Sequence, residues 1–283
     1  MGAVHGVVLK SRPARLSTRG EGERHAGHPP PPPPPRYVGL TAVSGVGLRL
    51  CHPESWWRAP LGVVCATNAV VAALFLLDRG TALLGKSAKT GRAPLAYRVA
   101  WVGFLAPTWL YTKVHTVLGK ALHGIPEATE VLPGWWLGGR YADGAPGRPA
   151  RWSGVLDLTC ELPERCIADA DEYKLVRLWD GAPPAPDAIE AAADFCVAAR
   201  RRGPVLVHCA HGRGRSTTVF CACLVKAGLF PDWGAAFAAC KRKRPCVSLN
   251  ARMRAQLKAW QRAYDARTPE AHRGPAAAAT GGR

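Results

Sequence analysis

Three features of the sequence predict an α/β domain with two apolar helices ahead of it. Short apolar runs alternate with helix-like segments between residues 125 and 265. One of those runs passes through a glycine-bearing loop straight into a helix, VLVHCAHGRGRSTTV from Val205 to Val219. Upstream, two long and nearly uncharged stretches, Leu61 to Leu77 and Val99 to Leu118, are helical in length and apolar in character.

In chain order, residues 1–60 read as a disordered Pro/Arg-rich region. Arg12, Arg15, Arg19 and Arg24 stand among small residues, and the run Pro29 to Pro35 is a stiff polyproline rod with no core to bury. No acidic residue precedes Glu21, which fits an organelle transit peptide and fits a featureless extension equally well. Met1-Gly2 opens a myristoylation motif that Gly6 leaves incomplete.

Residues 61–124 read as membrane-associated apolar helices. Leu61–Leu77 carries no charge, and at about 1.5 Å per residue falls just short of a roughly 30 Å hydrocarbon core. Val99–Leu118 is interrupted by Pro107 and Lys113, and its Trp101, Trp109 and Tyr111 suit a membrane interface. Two readings stand: a membrane hairpin or span with an interfacial helix, and a pair of helices packed on the domain that follows. Basic residues flank both stretches, so orientation is open.

Strands are expected at Trp135–Leu137, Gly154–Leu158, Tyr173–Leu178 and Pro204–His208. Helices are expected to begin near Asp187, Ser216, Asp232 and Asn250, and the two Asp and the Asn are good N-cap types. Arg200 to Arg202 and Lys241 to Arg244 suit helix C-termini. Residues 266–283 read as a disordered tail.

Composition narrows the function. Of 283 residues, 48% are apolar and 20% charged, which excludes full-length disorder, collagen and a disulfide mini-protein. The net charge of +18 is uneven: residues 1–124 hold 15 basic and 4 acidic side chains, residues 125–283 hold 23 and 16. Basic charge points to nucleic acid, an anionic membrane or an anionic substrate. No helix-turn-helix, zinc-finger or RNP pattern supports nucleic acid as a partner. Ten cysteines form no C-x-x-C pair and no zinc spacing, and Cys221 and Cys223 sit in apolar runs, as reduced thiols in a reducing compartment would.

Cys209 is different. It opens the loop Cys209-Ala210-His211-Gly212-Arg213-Gly214-Arg215, which follows His208 and precedes Ser216. Gly212 and Gly214 allow the backbone to aim successive N–H groups inward, and the helix N-terminus adds positive potential. Arg215 can meet two phosphate oxygens with its planar fork. A thiol of ordinary pKa about 8.5 becomes a thiolate in such surroundings, and a thiolate in an anion cradle attacks phosphorus.

This loop resembles the H-C-x-x-G-x-x-R-[S/T] signature of the cysteine-based protein tyrosine phosphatases, with His208, Cys209, Gly212, Arg215 and Ser216 at the fixed positions. The surrounding sequence resembles the dual-specificity branch over about residues 130–262. Asp180, in Trp179-Asp180, lies 29 residues before Cys209, where that family places its general acid; Asp187 is the rival and fits a helix cap better. Arg244, Pro245, Asn250, Gln256 and Leu257 match the family's segment after the cysteine, while its Trp-Pro-Asp form is absent.

The resemblance implies a central mixed sheet flanked by helices, a catalytic domain over 125–265 and a role for each matched residue. Cys209 is the nucleophile. Arg215 and the amides of Ala210, His211, Gly212, Arg213 and Gly214 hold the phosphate. Asp180 is the acid and then the base, and Ser216 assists the sulfur. His208 orients the cysteine, and Asn250 braces the phosphate loop. No cofactor and no metal are implied. Extra cations at His211 and Arg213 occur in relatives that act on lipid headgroups, although the lysine that often follows their cysteine is Ala210 here. The substrate is thus a phosphorylated protein or a phospholipid headgroup; a catalytically inactive phosphate-binding module is the third reading. A rhodanese-like sulfurtransferase also uses a loop cysteine, but Asp180 and the Asn250 segment argue against it.

Overall fold

The computed structural model describes residues 35–268. Four helices lead: α1 Pro35–Leu50, α2 Arg58–Leu76, α3 Leu95–Ala100 and α4 Val102–His123. The α/β domain follows as β1 Ala128–Leu132, β2 Trp135–Gly138, β3 Gly154–Asp157, β4 Tyr173–Leu175, α5 Pro186–Arg200, β5 Val205–His208, α6 Arg215–Lys226, α7 Trp233–Lys243 and α8 Ala251–Arg267.

Helix α1 corrects the reading of residues 1–60 as disordered. Tyr37 is buried against Phe75 and Phe104, with ring centroids 6.3 and 5.6 Å away, so α1 is fixed by packing that composition does not reveal. Pro35 opens the helix, where a missing N–H costs nothing. The rest of the proline run, the arginines before it and the targeting and myristoylation readings lie outside the described residues. So do residues 269–283 of the tail.

Helix α2, at 19 residues, is long and apolar enough by length and composition to cross a membrane. The second apolar stretch is two helices that meet at Trp101. Pro107 cannot donate the bond that a helix expects at Gly103 O. Asn68 of α2 fills that vacancy: its Nδ2 donates to Gly103 O at 3.0 Å and to Val64 O at 2.8 Å. A Cβ on Gly103 would stand 2.6 Å from Val63 O, so the glycine permits the close α2–α4 crossing.

The sheet order is β1-β2-β5-β3-β4, with β1 antiparallel to β2 and the other pairs parallel, a mixed sheet as expected. Central strand β5 is buried along its length. Val205 and Val207 face the core beneath α5, α6 and α8, whereas Leu206 faces Trp136, Trp152 and Val155 on the other side. Strand β1 carries Thr129 and Glu130 and is an edge, which hid it from an apolar pattern. Asp232 and Asn250 cap α7 and α8, accepting from Ala235 N and Met253 N at 2.8 Å. Asp187 is not a cap. Pro186 takes the first helical position and Ala185 becomes the N-cap, which leaves Asp187 in the first turn of α5.

Candidate active site

Strand β5 delivers His208 to the sheet's C-terminal edge, level with Gly138 of β2 and Asp157 of β3. The chain then turns through residues 209–214 into α6. Gly212 has φ +68°, and a Cβ there would lie 2.4 Å from Gly138 C, so only glycine fits. Outside donors take the loop's carbonyls. Arg140 N holds Ala210 O at 3.1 Å, and Ser248 N holds Arg213 O at 2.9 Å. Arg244 spans His211 O and Gly212 O at 3.1 and 3.0 Å. The N–H groups of Ala210, Gly212, Arg213, Gly214 and Arg215 donate to no protein group among the described residues. That arrangement is an anion nest at a helix N-terminus.

Cys209 and Arg215 are 3% and 1% exposed. Ser216 Oγ lies 3.3 Å from Cys209 Sγ. Burial alone would raise the Cys209 thiol, but the Arg215 guanidinium and the Ser216 donors bring it below its ordinary value. Burial pushes the Cys160, Cys166, Cys221 and Cys223 thiols up instead, so they are inert where Cys209 is activated. Cys196 and Cys240 are buried too, and all ten cysteines are free.

Arg215 is gripped from behind. Its Nη2 meets Glu161 Oε1 at 2.8 Å and Asp180 Oδ1 at 2.9 Å; its Nη1 donates to Leu178 O at 2.8 Å and Glu161 Oε2 at 3.2 Å. Burial opposes its charge, and Glu161, Asp180 and Cys209 outweigh burial and hold it protonated. Its Nε is buried without a partner. One guanidinium donor and a ring of amides are thus left free around the thiol, which is the donor set of a bound phosphate.

Asp180 stands on the loop after β4, and Leu178 and Asp180 both meet Arg215. Trp179 between them turns inward, 2% exposed. It donates from Nε1 to Arg79 O at 2.9 Å and meets Phe104 of α4 edge-on at 6.2 Å. Asn250 differs from its expected place: beside its capping bond it donates from Nδ2 to Gly181 O at 3.0 Å, so it braces the loop that carries Asp180, and Arg244 braces the loop that follows Cys209. Arg213 is partly buried beside His115, Tyr141 and Arg244. The His211 ring packs 4.4 Å from His115 and 5.6 Å from Tyr111, both on α4.

Behind the loop lies a buried charge network. His208 Nε2 is 2.6 Å from Glu164 Oε2, an ion pair, and 4.0 Å from Asp157. Burial disfavours the imidazolium, but Glu164 and Asp157 push it up to about 9. Lys86, from the connector before α3, ion-pairs with Asp157 and donates to Thr159 Oγ1 and Thr159 O at 2.9 and 3.1 Å. Asp157, Glu164 and His208 cluster closely enough to ligate a cation, yet the Lys86 ammonium already supplies that charge. Arg177 donates to Lys86 O, and Glu164 N donates to Gly91 O. Sequence reasoning missed Lys86, Glu161, Glu164, Trp179 as an anchor and Arg244 as a brace. Arg244 matched the segment after the cysteine and Glu161 lies three residues past the Gly154–Leu158 strand, but their partners are distant in sequence.

Residues 181–263 match the family model for the dual specificity phosphatase catalytic domain. That segment belongs to the dual-specificity phosphatases of the cysteine-based superfamily. It covers less than a third of the chain, holding Cys209 and Arg215 but leaving Asp180, Glu161 and Lys86 upstream of its start. Among solved structures, human DUSP28 is 25% identical, with 49% of this chain and 95% of that one covered and a TM-score of 0.44. A mouse putative dual specificity phosphatase complexed with zinc tungstate is 26% identical, over 50% of this chain and 90% of that one, at 0.44. PTPMT1 in complex with PI(5)P is 17% identical, over 50% and 98%, at 0.43. The phosphatase domain is in direct contact with α4 and the 79–92 connector, through Trp179, His211, Asp157 and Glu164.

Proposed function

We propose that this phosphatase hydrolyses phosphotyrosine, and also phosphoserine and phosphothreonine, in proteins through a cysteinyl-phosphate intermediate. The observation that carries the reading is the set of free donors, Arg215 Nε and the loop amides, around a thiol of lowered pKa. The Cys209 thiolate attacks phosphorus, a P–S bond forms and the P–O bond to the leaving oxygen breaks. Asp180 gives that oxygen its proton. Arg215 and the amides of residues 210–215 hold the equatorial oxygens as charge redistributes. Asp180 then takes a proton from water, the water oxygen bonds to phosphorus and the P–S bond breaks. Ser216 stabilises the returning thiolate, and His208 orients the loop.

A second reading, hydrolysis of a phosphoinositide or phosphatidylglycerophosphate headgroup, is favoured by Arg213 and His211 at the loop's rim and by apolar surface on the leading helices. Val43, Val46, Val99, Leu110 and Leu118 are exposed, and α2 has a spanning helix's length. Under either reading we infer from α2 and this apolar surface that the chain sits at a membrane, and from its free cysteines that its catalytic domain lies in a reducing compartment.

The test is phosphate release by the full chain in detergent micelles, with Cys209→Ser as blank. Phosphotyrosine and phosphothreonine peptides are compared with vesicles bearing either lipid. A peptide preference supports the first reading. A lipid preference of about tenfold or more, about 1.4 kcal/mol of transition-state binding, replaces it with the second. Absence of release with retained phosphopeptide binding leaves the inactive module.

A further inference from the structure

A cavity of about 600 Å³ opens between α3, α4 and the loop that follows β3, outside the phosphate loop. Its volume lies within the roughly 300–1,000 Å³ of ligand pockets. One wall is apolar, built from Leu95, Val99, Val102, Leu105 and Trp109. The other wall is basic, with Arg92, Arg98, Arg140 and Arg165.

Most charges at this wall are already matched. Arg165 pairs with Asp143 at 2.6 Å, and Lys86 pairs with Asp157. Glu161 is engaged by Arg215 and Glu164 by His208. Arg92, Arg98 and Arg140 have no carboxylate at ion-pair distance among the described residues. Arg140 is the telling one. It is 5% exposed, its Nε donates to Pro163 O at 3.0 Å, and its Nη1 is buried with no partner. The Tyr141 ring, 5.0 Å from the Arg140 guanidinium, meets part of its charge, and the idle Nη1 donor is what an anion would complete.

We propose that this cavity binds an anionic phospholipid, with its phosphodiester on Arg140, Arg98 and Arg92 and an acyl chain along α3 and α4. The apolar wall selects an amphiphile over a free anion: Val102 and Trp109 are about half exposed, Val99 more so, and they continue the chain's lining onto the outer apolar surface. A phosphodiester offers no phosphomonoester to Cys209, so occupancy of this site is not turnover; a phosphatidylglycerophosphate substrate would leave the same headgroup as product, and the orthovanadate arm separates that product site from this cavity. Glu161 lies on the cavity wall and on Arg215 alike, so the two sites share a residue.

The experiment measures binding of fluorescent phosphatidylglycerol and fluorescent phosphatidylcholine to the full chain in detergent. Saturable binding of phosphatidylglycerol, about tenfold tighter than phosphatidylcholine, is expected. Arg92→Glu with Arg98→Glu, both exposed and outside the ion pairs of Lys86, Glu161 and Glu164, weakens it by about tenfold or more, with an unchanged unfolding midpoint as the check on the fold. Val102→Trp, which narrows the apolar wall, weakens it as well. Orthovanadate, a phosphate mimic for Cys209, leaves it unchanged. Equal binding of the two lipids, indifference to the double charge reversal, or displacement by orthovanadate overturns the proposal.

Discussion

Lys86→Met tests whether the connector before α3 is part of the catalytic domain. The ammonium serves three oxygens, one on Asp157 and two on Thr159, and both charged partners are sealed from solvent. Methionine fills similar volume but leaves the Asp157 carboxylate with Tyr173 Oη at 3.0 Å, Thr159 N and Oγ1 each at 2.8 Å and an imidazolium 4.0 Å away. Losing one partner of a buried ion pair costs about 3–5 kcal/mol. Against a total stability of about 5–15 kcal/mol that is a large fraction. At roughly 2–4 °C per kcal/mol for a chain of this size, the midpoint falls by roughly 10 °C. Thermal and urea unfolding of the full chain in detergent, followed by tryptophan fluorescence, reads the loss. Lys86→Met with Asp157→Asn removes both charges and is expected to lose less than the two single changes summed, by about 2 kcal/mol. A single-variant loss under about 1 kcal/mol, with additive behaviour in the pair, would refute the reasoning and reduce the contact to an incidental one.

A fragment beginning at residue 125 is expected to aggregate and to lose turnover, because Trp179, Cys160 and Asp157 lose their partners on α4 and the connector; size-exclusion chromatography beside residues 35–268 decides it. Asp180→Asn lowers kcat by about 10²–10⁴-fold with the fold intact, and least for substrates whose leaving oxygen needs no proton, which a leaving-group series measures. Glu161→Gln weakens the grip on Arg215 and lowers kcat/KM by about tenfold or more, whereas unchanged kinetics would make Glu161 a bystander. His208 carries a raised pKa, so its stabilisation is complete below about 6.5 and is lost as pH rises through about 9, worth about 3 kcal/mol. Glu164, despite burial, is held well below the carboxylate range by His208, so its share is lost in acid. Stability should fall from pH 6.5 to 9, and His208→Gln should flatten that limb in urea unfolding.

What sequence could read was local. The phosphate loop, its strand and its helix lie within fifteen residues, and the glycines, the cysteine and the arginine declare their use by spacing alone. The Asp232 and Asn250 caps are equally local. The remainder depends on partners far away in the chain. Lys86 meets Asp157 across 71 residues, and Glu161 meets Arg215 across 54. No pattern within a window of sequence reports such a pair. Strand β1 was hidden by the polar residues of an edge, and α1 by small residues whose order comes from Tyr37 on two aromatic rings. Asn250 was legible as a residue but not as a brace for the acid loop, because the loop it reaches is set by tertiary packing.

The leading helices bear on the chemistry itself. Helix α4 touches the acid loop at one end, Phe104 against Trp179, and the phosphate loop eleven residues later, His115 against His211. At about 1.5 Å per residue it spans roughly 16 Å and links the two loops that must cooperate in each step. Trp179 is buried in a cluster that includes Tyr37, Val71, Phe75 and Phe104, and its indole N–H is held by Arg79 O. Opening the acid loop therefore means withdrawing a tryptophan from a packed aromatic site, at a cost of several kcal/mol. Asp180 is fixed beside Arg215 before any substrate arrives, so the entropy of placing the acid is met at folding and does not draw on substrate binding. Elements outside the family-matched segment thus fix Asp180, itself upstream of that segment, beside the Arg215 that the segment supplies.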